Sequence, residues 1–390
     1  MDGATNAGDR DTVRCAQCER AVPALDYCVV CGDPLANERL ASGKTRSEYS
    51  AAPDEPAFAI RFFTTLFPHL PRADLDTFRI GFVLGGLVVV ILVAAGLYPI
   101  ALVVAAVIVP LLIVLYIVDV DVYEDEPARV LGATMAWGAG AGVLFAIVNR
   151  AVRPDGLLDG TTPHAVAILL DGLIAPLAEL ALIVAGPLAL LRYRRFNDVL
   201  DGTTFGVASA AAFSGAYSLV NAVDVLRGGL HPAGDPLPWV LTLFTVAVIR
   251  PVLLATASAG VCAALWLRFR APVRDRGALG FVGRPGPAIA AAGSLLVVAA
   301  LCGSFLDQIA AAVVSGILAA TGLIWLRRAI HLGLLQESRE HPIGPLIRCA
   351  NCGRTTERHT FCGRCGIALK ALPKNHGDGT GRRDPGREPS

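Results

Sequence analysis

Eight runs of apolar residues, each near the length that crosses a bilayer, constrain this chain more than any other feature. They lie at residues 80–97, 99–118, 130–148, 165–191, 203–226, 238–267, 286–305 and 308–326. A helix needs about 20 such residues to span about 30 Å of hydrocarbon. Arg250-Pro251 interrupts the sixth run, so that stretch reads either as one tilted helix or as a re-entrant piece plus a span; seven spans is the alternative count. Composition agrees with a lipid environment. Hydrophobic residues make up 54% of the chain and charged residues 17%, where soluble domains carry about 25% charged residues. Mean hydropathy is +0.55. An ordinary soluble enzyme and a disordered chain are both excluded. The net charge of +1 gives no basic field, so nucleic acid is not an expected partner.

The ten cysteines divide unevenly. Cys15, Cys18, Cys28 and Cys31 form one group, and Cys349, Cys352, Cys362 and Cys365 form another; Cys262 and Cys302 sit in apolar stretches. Both groups are two CxxC pairs separated by nine residues. Their surroundings repeat as well. Tyr27 and Phe361 precede the third cysteine, Gly32 and Gly366 follow the fourth, and Leu35 and Leu369 come three residues later. Four thiolates at this spacing satisfy a tetrahedral Zn²⁺ with no open position, so two structural zinc ions are expected. Modules this small have almost no core, and the metal supplies their folding free energy. Thiolates persist in a reducing compartment. Arg354, Arg358, His359 and Arg364 of the second module would suit an acidic partner, although a solvated surface is the plainer reading.

The expected fold is an all-α polytopic membrane protein of about eight transmembrane helices, with a small zinc ribbon at each end. The ribbons occupy 13–36 and 347–370, and the helical domain 79–326. Residues 37–56 read as a polar linker and 371–390 as a disordered tail. Residues 57–78 carry Phe58, Phe62, Phe63, Leu66 and Phe67 at a spacing that suits a helix on the membrane surface or packed on the bundle. The polar start MDGATNAGDRDTVR has no apolar core, so no cleavable signal peptide is expected. With the N-terminus inside, the inner loops hold nine arginines: Arg129, Arg192, Arg194, Arg195, Arg268, Arg270, Arg274, Arg276 and Arg284. The outer loops hold three, Arg150, Arg153 and Arg227. The positive-inside rule then puts both termini in the cytoplasm of a multi-pass cell-membrane protein. Besides the bilayer, a cytoplasmic or membrane protein is the expected partner.

Polar residues in a bilayer are expensive and need a reason. The notable ones are Asp171, Glu179, Asn221, Asp224, Arg250, Asp307 and Gln308. Glu179 and Arg250 lie deep in their spans, where an ion pair between them is the economical reading. Asp171 precedes Glu179 by eight residues, about 80° round an α-helix, so the two do not share a face closely. Asp224 and Asp307 fit interfacial positions.

Three stretches in this order resemble the PrsW family of intramembrane proteases. Tyr123-Glu124-Asp125-Glu126-Pro127 precedes the Gly-rich span ATMAWGAGAG. Ala175-Pro176-Leu177-Ala178-Glu179 is similar to the approach to the family's Glu-Glu-x-x-Lys motif. Arg194-Arg195-Phe196-Asn197-Asp198-Val199-Leu200-Asp201-Gly202, with Gly206 beyond, looks like the family's loop into the next helix. The resemblance covers about residues 120–310. It implies intramembrane proteolysis by Glu and His residues around a metal, with Glu179 as the one retained family-type acid. The departures are large. Leu180 and Ile183 stand where Glu and Lys are expected; Tyr217-Ser218 replaces Glu-Asn; Ser258 falls at a His position; Cys302-Gly303 replaces His-Gly. His164 sits at a span edge, and the other six histidines fall in loops, tails or ribbons.

Three readings follow. The first is a catalytically degenerate homologue acting as a membrane sensor or scaffold through its ribbons, with Tyr217, Ser258 and Cys302 gathered around Glu179. The second is an active, divergent (metallo)protease of membrane proteins. The third is an unrelated carrier, which should show repeat symmetry between halves; the only clear repeat is the ribbon pair.

Overall fold

A computed structural model describes residues 11–16, 18–35, 77–120, 128–152, 166, 168–227, 229–230, 236–271, 277–338, 343–349, 351–367 and 369. The expected linker 37–56, the tail 371–390, residues 57–76 of the amphipathic segment, the Tyr123–Pro127 run, His164, Arg153, Arg274 and Arg276 lie outside the described residues.

The helices follow the apolar runs. They are α1 (Thr77–Ala94), α2 (Tyr98–Val120), α3 (Ala128–Val152), α4 (Leu169–Leu190), α5 (Val199–Arg227), α6 (Pro236–Phe269), α7 (Pro285–Phe305) and α8 (Gln308–Ser338). Six of them, α3 to α8, are long and apolar enough to cross a membrane; α1 and α2 contribute shorter apolar stretches, Ile80–Ala94 and Tyr98–Ile113. The structure thus carries six spans of membrane length among the described residues where the sequence suggested eight. The sixth run is one continuous helix, π-helical over Thr245–Ile249, with no re-entrant fold.

α5 is the central helix, and most of its apolar window is buried. Lipid gives no hydrophobic drive between helices, so close backbone approach must supply the packing. Gly138 and Gly142 of α3 do this: a Cβ on either would run into the backbone carbonyl of Ser209 or Phe213 on α5. Trp137, beside them, lies against Gly186 and donates its indole N–H to Leu182 O at 2.9 Å, which ties α3 to α4. On the other side of α5, Gly206 meets Ala259 of α6. Ser258 donates to Gly206 O at 2.9 Å.

Helix ends explain several of the polar residues. Asp198 caps α5, its Oδ1 accepting from Leu200 N–H at 3.3 Å, while Asp201 accepts from Asp198 N–H at 3.0 Å. This reciprocal capping accounts for the Asp-x-x-Asp of the loop motif. Asp307 caps α8 through Ile309 and Ala310 N–H. Asp224, near the end of α5, pairs with Arg150 and Arg227. Asp224 and Asp307 therefore sit at helix ends, as expected.

Each terminal module is a two-stranded antiparallel hairpin. β1 (Thr12–Arg14) pairs with β2 (Ala21–Pro23), and β3 (Leu346–Arg348) with β4 (Thr355–Glu357).

Candidate intramembrane cavity and metal centres

Glu179 and Arg250 meet. Arg250 donates to Glu179 Oε1 at 2.6 Å, and its guanidinium lies 4.0 Å from the centre of the Tyr217 ring. The two side chains are 12% and 23% exposed. They line a cavity of about 250 Å³ between α3, α4, α5, α6, α7 and α8. Its polar lining is Asn149, Asp171, Glu179, Tyr217, Thr245, Arg250 and Ser315.

The backbone that builds this cavity is unusual at two places, for the same reason. Leu169–Ile174 and Thr245–Ile249 are π-helical, and each ends just before an x-Pro pair, Ala175-Pro176 and Arg250-Pro251. A proline in a helix lacks the N–H and crowds the carbonyl four residues back. The residue before it then bonds five residues back, Ala175 N–H to Leu170 O and Arg250 N–H to Thr245 O. The bulge absorbs one residue of spacing. Eight residues between Asp171 and Glu179 then turn like seven, which brings them within about 20° of each other. Asp171 accordingly lines the cavity with Glu179, against the expectation that the two would not share a face closely. Asn149 was not singled out by sequence reasoning. It lies three residues before the end of α3, where nothing but the fold turns it towards the cavity.

Of the residues expected around Glu179, the structure brings in Tyr217 alone. Ser258 donates to Gly206 O and Leu254 O instead, and Cys302 lies outside the cavity lining. His331, expected in a loop, lies on α8 with its ring 6.2 Å from Phe361. Neither His nor Cys lines the cavity.

The eight CxxC cysteines form the two groups the spacing predicts. In each group the four Sγ atoms lie within 4.8 Å of one another. Cys15–Cys31 and Cys18–Cys28 are 3.5 and 3.7 Å apart, and Cys349–Cys365 and Cys352–Cys362 are both 3.9 Å apart. Sulfurs about 2.3 Å from a tetrahedral ion lie about 3.8 Å from each other, so both groups fit such an ion. Among the described residues no third cluster of this kind occurs. Crowding divides the protons within each group. A hydrogen bond from Cys31 pulls the Cys28 thiol down to about 5, and one from Cys349 pulls Cys362 down to about 2. Cys31 and Cys365 are pushed up, as donors to those thiolates and by burial.

The two ribbons touch. Tyr27 N–H donates to Gly363 O and Phe361 N–H donates to Val29 O, both at 2.9 Å. His359 Nδ1 lies 3.1 Å from Val29 O, and Arg364 lies 3.8 Å from Asp26. Leu25 fills the space where a Cβ on Gly363 would stand.

No curated protein and no solved structure matches the chain. Residues 126–289, which supply Asn149, Asp171, Glu179, Tyr217 and Arg250 to the cavity, match the PrsW-protease family model, described as the PrsW family of intramembrane metalloproteases.

Proposed function

We propose that the PrsW-like core is a catalytically degenerate membrane module, a sensor or scaffold whose paired zinc ribbons form a cytoplasmic docking head for a cytoplasmic or membrane protein. The observation that carries this reading is the occupant of Glu179. Metal-assisted hydrolysis needs about three protein ligands and a base around an activated water. Here Arg250 sits against the carboxylate and Tyr217 stacks on the guanidinium. The cavity's remaining carboxylate is Asp171, with no imidazole or thiol beside it. The pair locks α4 to α6 across the cavity, and the space beside it is left for a ligand or a partner side chain.

Zinc is the ion that suits the ribbons. It tolerates a closed tetrahedral thiolate set, and thiolates favour it over oxygen-seeking cations. The docked ribbons support termini on one side of the membrane, which requires an even number of crossings between them. Arg192, Arg194, Arg195, Arg268 and Arg270 flank the ends of α4 and α6, and α8 delivers its last turns to the second ribbon through His331. The arginine-rich end and the ribbon end coincide, which favours the cytoplasm.

The test is cleavage of single-span reporter proteins in liposomes by the purified chain. The expected result is no cleavage above that of Glu179→Ala. Cleavage that disappears in Glu179→Ala, with thermal unfolding unchanged, overturns the reading. A second reading is favoured by one observation, the meeting of Asp171 and Glu179 in one cavity. An active, divergent protease would use them as an acid pair, and Asp171→Asn would then abolish the same cleavage.

A further inference from the structure

We infer that the two ribbons are a single coupled metal-binding unit, in which loading either site strengthens the other and closes both chain ends into a clasp on α8. The inference rests on the zinc reading above.

The contact between the ribbons is built from equivalent positions. Tyr27 and Phe361 each precede the third cysteine of their module; Val29 and Gly363 each follow it. The bonds run Tyr27 to Gly363 and Phe361 to Val29. A local two-fold axis therefore passes between Cys28 and Cys362, both metal-ligating positions. The side chains complete it unequally. Leu25 of the first ribbon covers Gly363, which has no side chain to obstruct it. In exchange, the second ribbon brings His359 to Val29 O and Arg364 towards Asp26.

Each docking edge exists only while its own ribbon is folded. The ribbons have three-residue strands. Their buried cores are little more than the cysteines, with Val22, Val29 and Val30 in one and Ile367 in the other. Such a module is held by its ion. An empty first site releases the segment Tyr27–Val29, and the second ribbon loses both backbone bonds and the Leu25 contact. The docking free energy is available only when both sites are filled, so it appears as positive coupling between them. Reciprocity requires the same factor in both directions. The second ribbon also holds α8, with Phe361 buried and its ring 6.2 Å from that of His331. Both termini are thereby fixed to one end of the membrane domain when the metal is bound, and both are freed when it leaves.

The experiment uses the full chain in detergent micelles, with zinc titrated against a chromophoric chelator. Deuterium uptake at 27–29 and 361–363 is read alongside. The variants are Cys15→Ser/Cys18→Ser, Cys349→Ser/Cys352→Ser and Gly363→Val. In the first two, the intact site should bind zinc about tenfold more weakly than in the wild type, equivalent to about 1.4 kcal/mol. Its third-cysteine segment should exchange faster. Gly363→Val keeps all eight ligands and should weaken both sites by the same factor. Wild-type affinity at the intact site of either double variant, with unchanged exchange, refutes the coupling, as do unchanged affinities in Gly363→Val. A wild-type protein that binds fewer than two zinc ions refutes the zinc reading itself, a different failure.

Discussion

Replacing one partner of the Glu179–Arg250 pair should cost far more than replacing both. Two charges about 4 Å apart attract by about 4 kcal/mol at the effective dielectric that suits partly buried sites. Both side chains are mostly withdrawn from solvent, so this attraction is little screened. Breaking such a pair by losing one member costs about 3–5 kcal/mol, because the other charge is stranded. The two single variants should differ. In Glu179→Gln, Arg250 keeps its stack on Tyr217 at 4.0 Å, a contact that reaches about 2 kcal/mol when desolvated, so the loss falls near the lower figure. In Arg250→Met the carboxylate is stranded and the stack is lost too, so the loss falls near the upper figure. Glu179→Gln/Arg250→Met leaves no stranded charge and should recover at least about 2 kcal/mol relative to the sum of the singles. Reversible unfolding in mixed micelles, followed by helical ellipticity, measures all four proteins. Single losses below about 1 kcal/mol that simply add in the double variant would refute the idea that this pair locks α4 to α6.

Other expectations follow from the packing and the ribbons. Gly142→Val should drive α3 off the Phe213 carbonyl and cost about 1–3 kcal/mol, whereas Gly140→Ala, which faces open space, should be neutral or up to about 1 kcal/mol stabilising through helix propensity; the same unfolding assay separates them. Trp137→Phe removes the bond to Leu182 O and should cost about 1 kcal/mol. A zinc chelator should abolish exchange protection in both ribbons while helical ellipticity persists, since the bundle does not depend on the ribbons for its core. Acidification should release the metal, because each ligand must be a thiolate to bind. Affinity is full where the thiols are deprotonated and falls as the pH drops from about 7 towards about 5, where Cys28 takes its proton; metal content measured after desalting at stepped pH checks the sign.

Much of the cavity was legible in the sequence because charge inside a bilayer must be compensated. Glu179 and Arg250 are ionisable groups deep in apolar runs, and pairing them needed no structure. Asp171 was misplaced because its angular position depends on the helix being α-helical throughout, and Pro176 makes it otherwise. The proline was visible; the π-bulge it produces depends on how neighbouring helices receive the displaced carbonyl. Ser258 and Cys302 were expected beside Glu179 from their place in the motif order, yet Ser258 is spent on the Gly206 carbonyl, a contact between α6 and α5 that no local pattern announces.

The sequence by itself determined the membrane class, the places of the helices and the eight thiols of the two metal centres, because hydrophobic length and CxxC spacing act over short stretches of chain. Only the tertiary structure decided which helix lies at the centre, which polar groups share a cavity and that the two ribbons join. Those outcomes depend on contacts between residues far apart in sequence. The bonds from Tyr27 to Gly363 and from Phe361 to Val29 link segments separated by most of the chain, and the repeat that made each ribbon recognisable carried no record that its two copies meet.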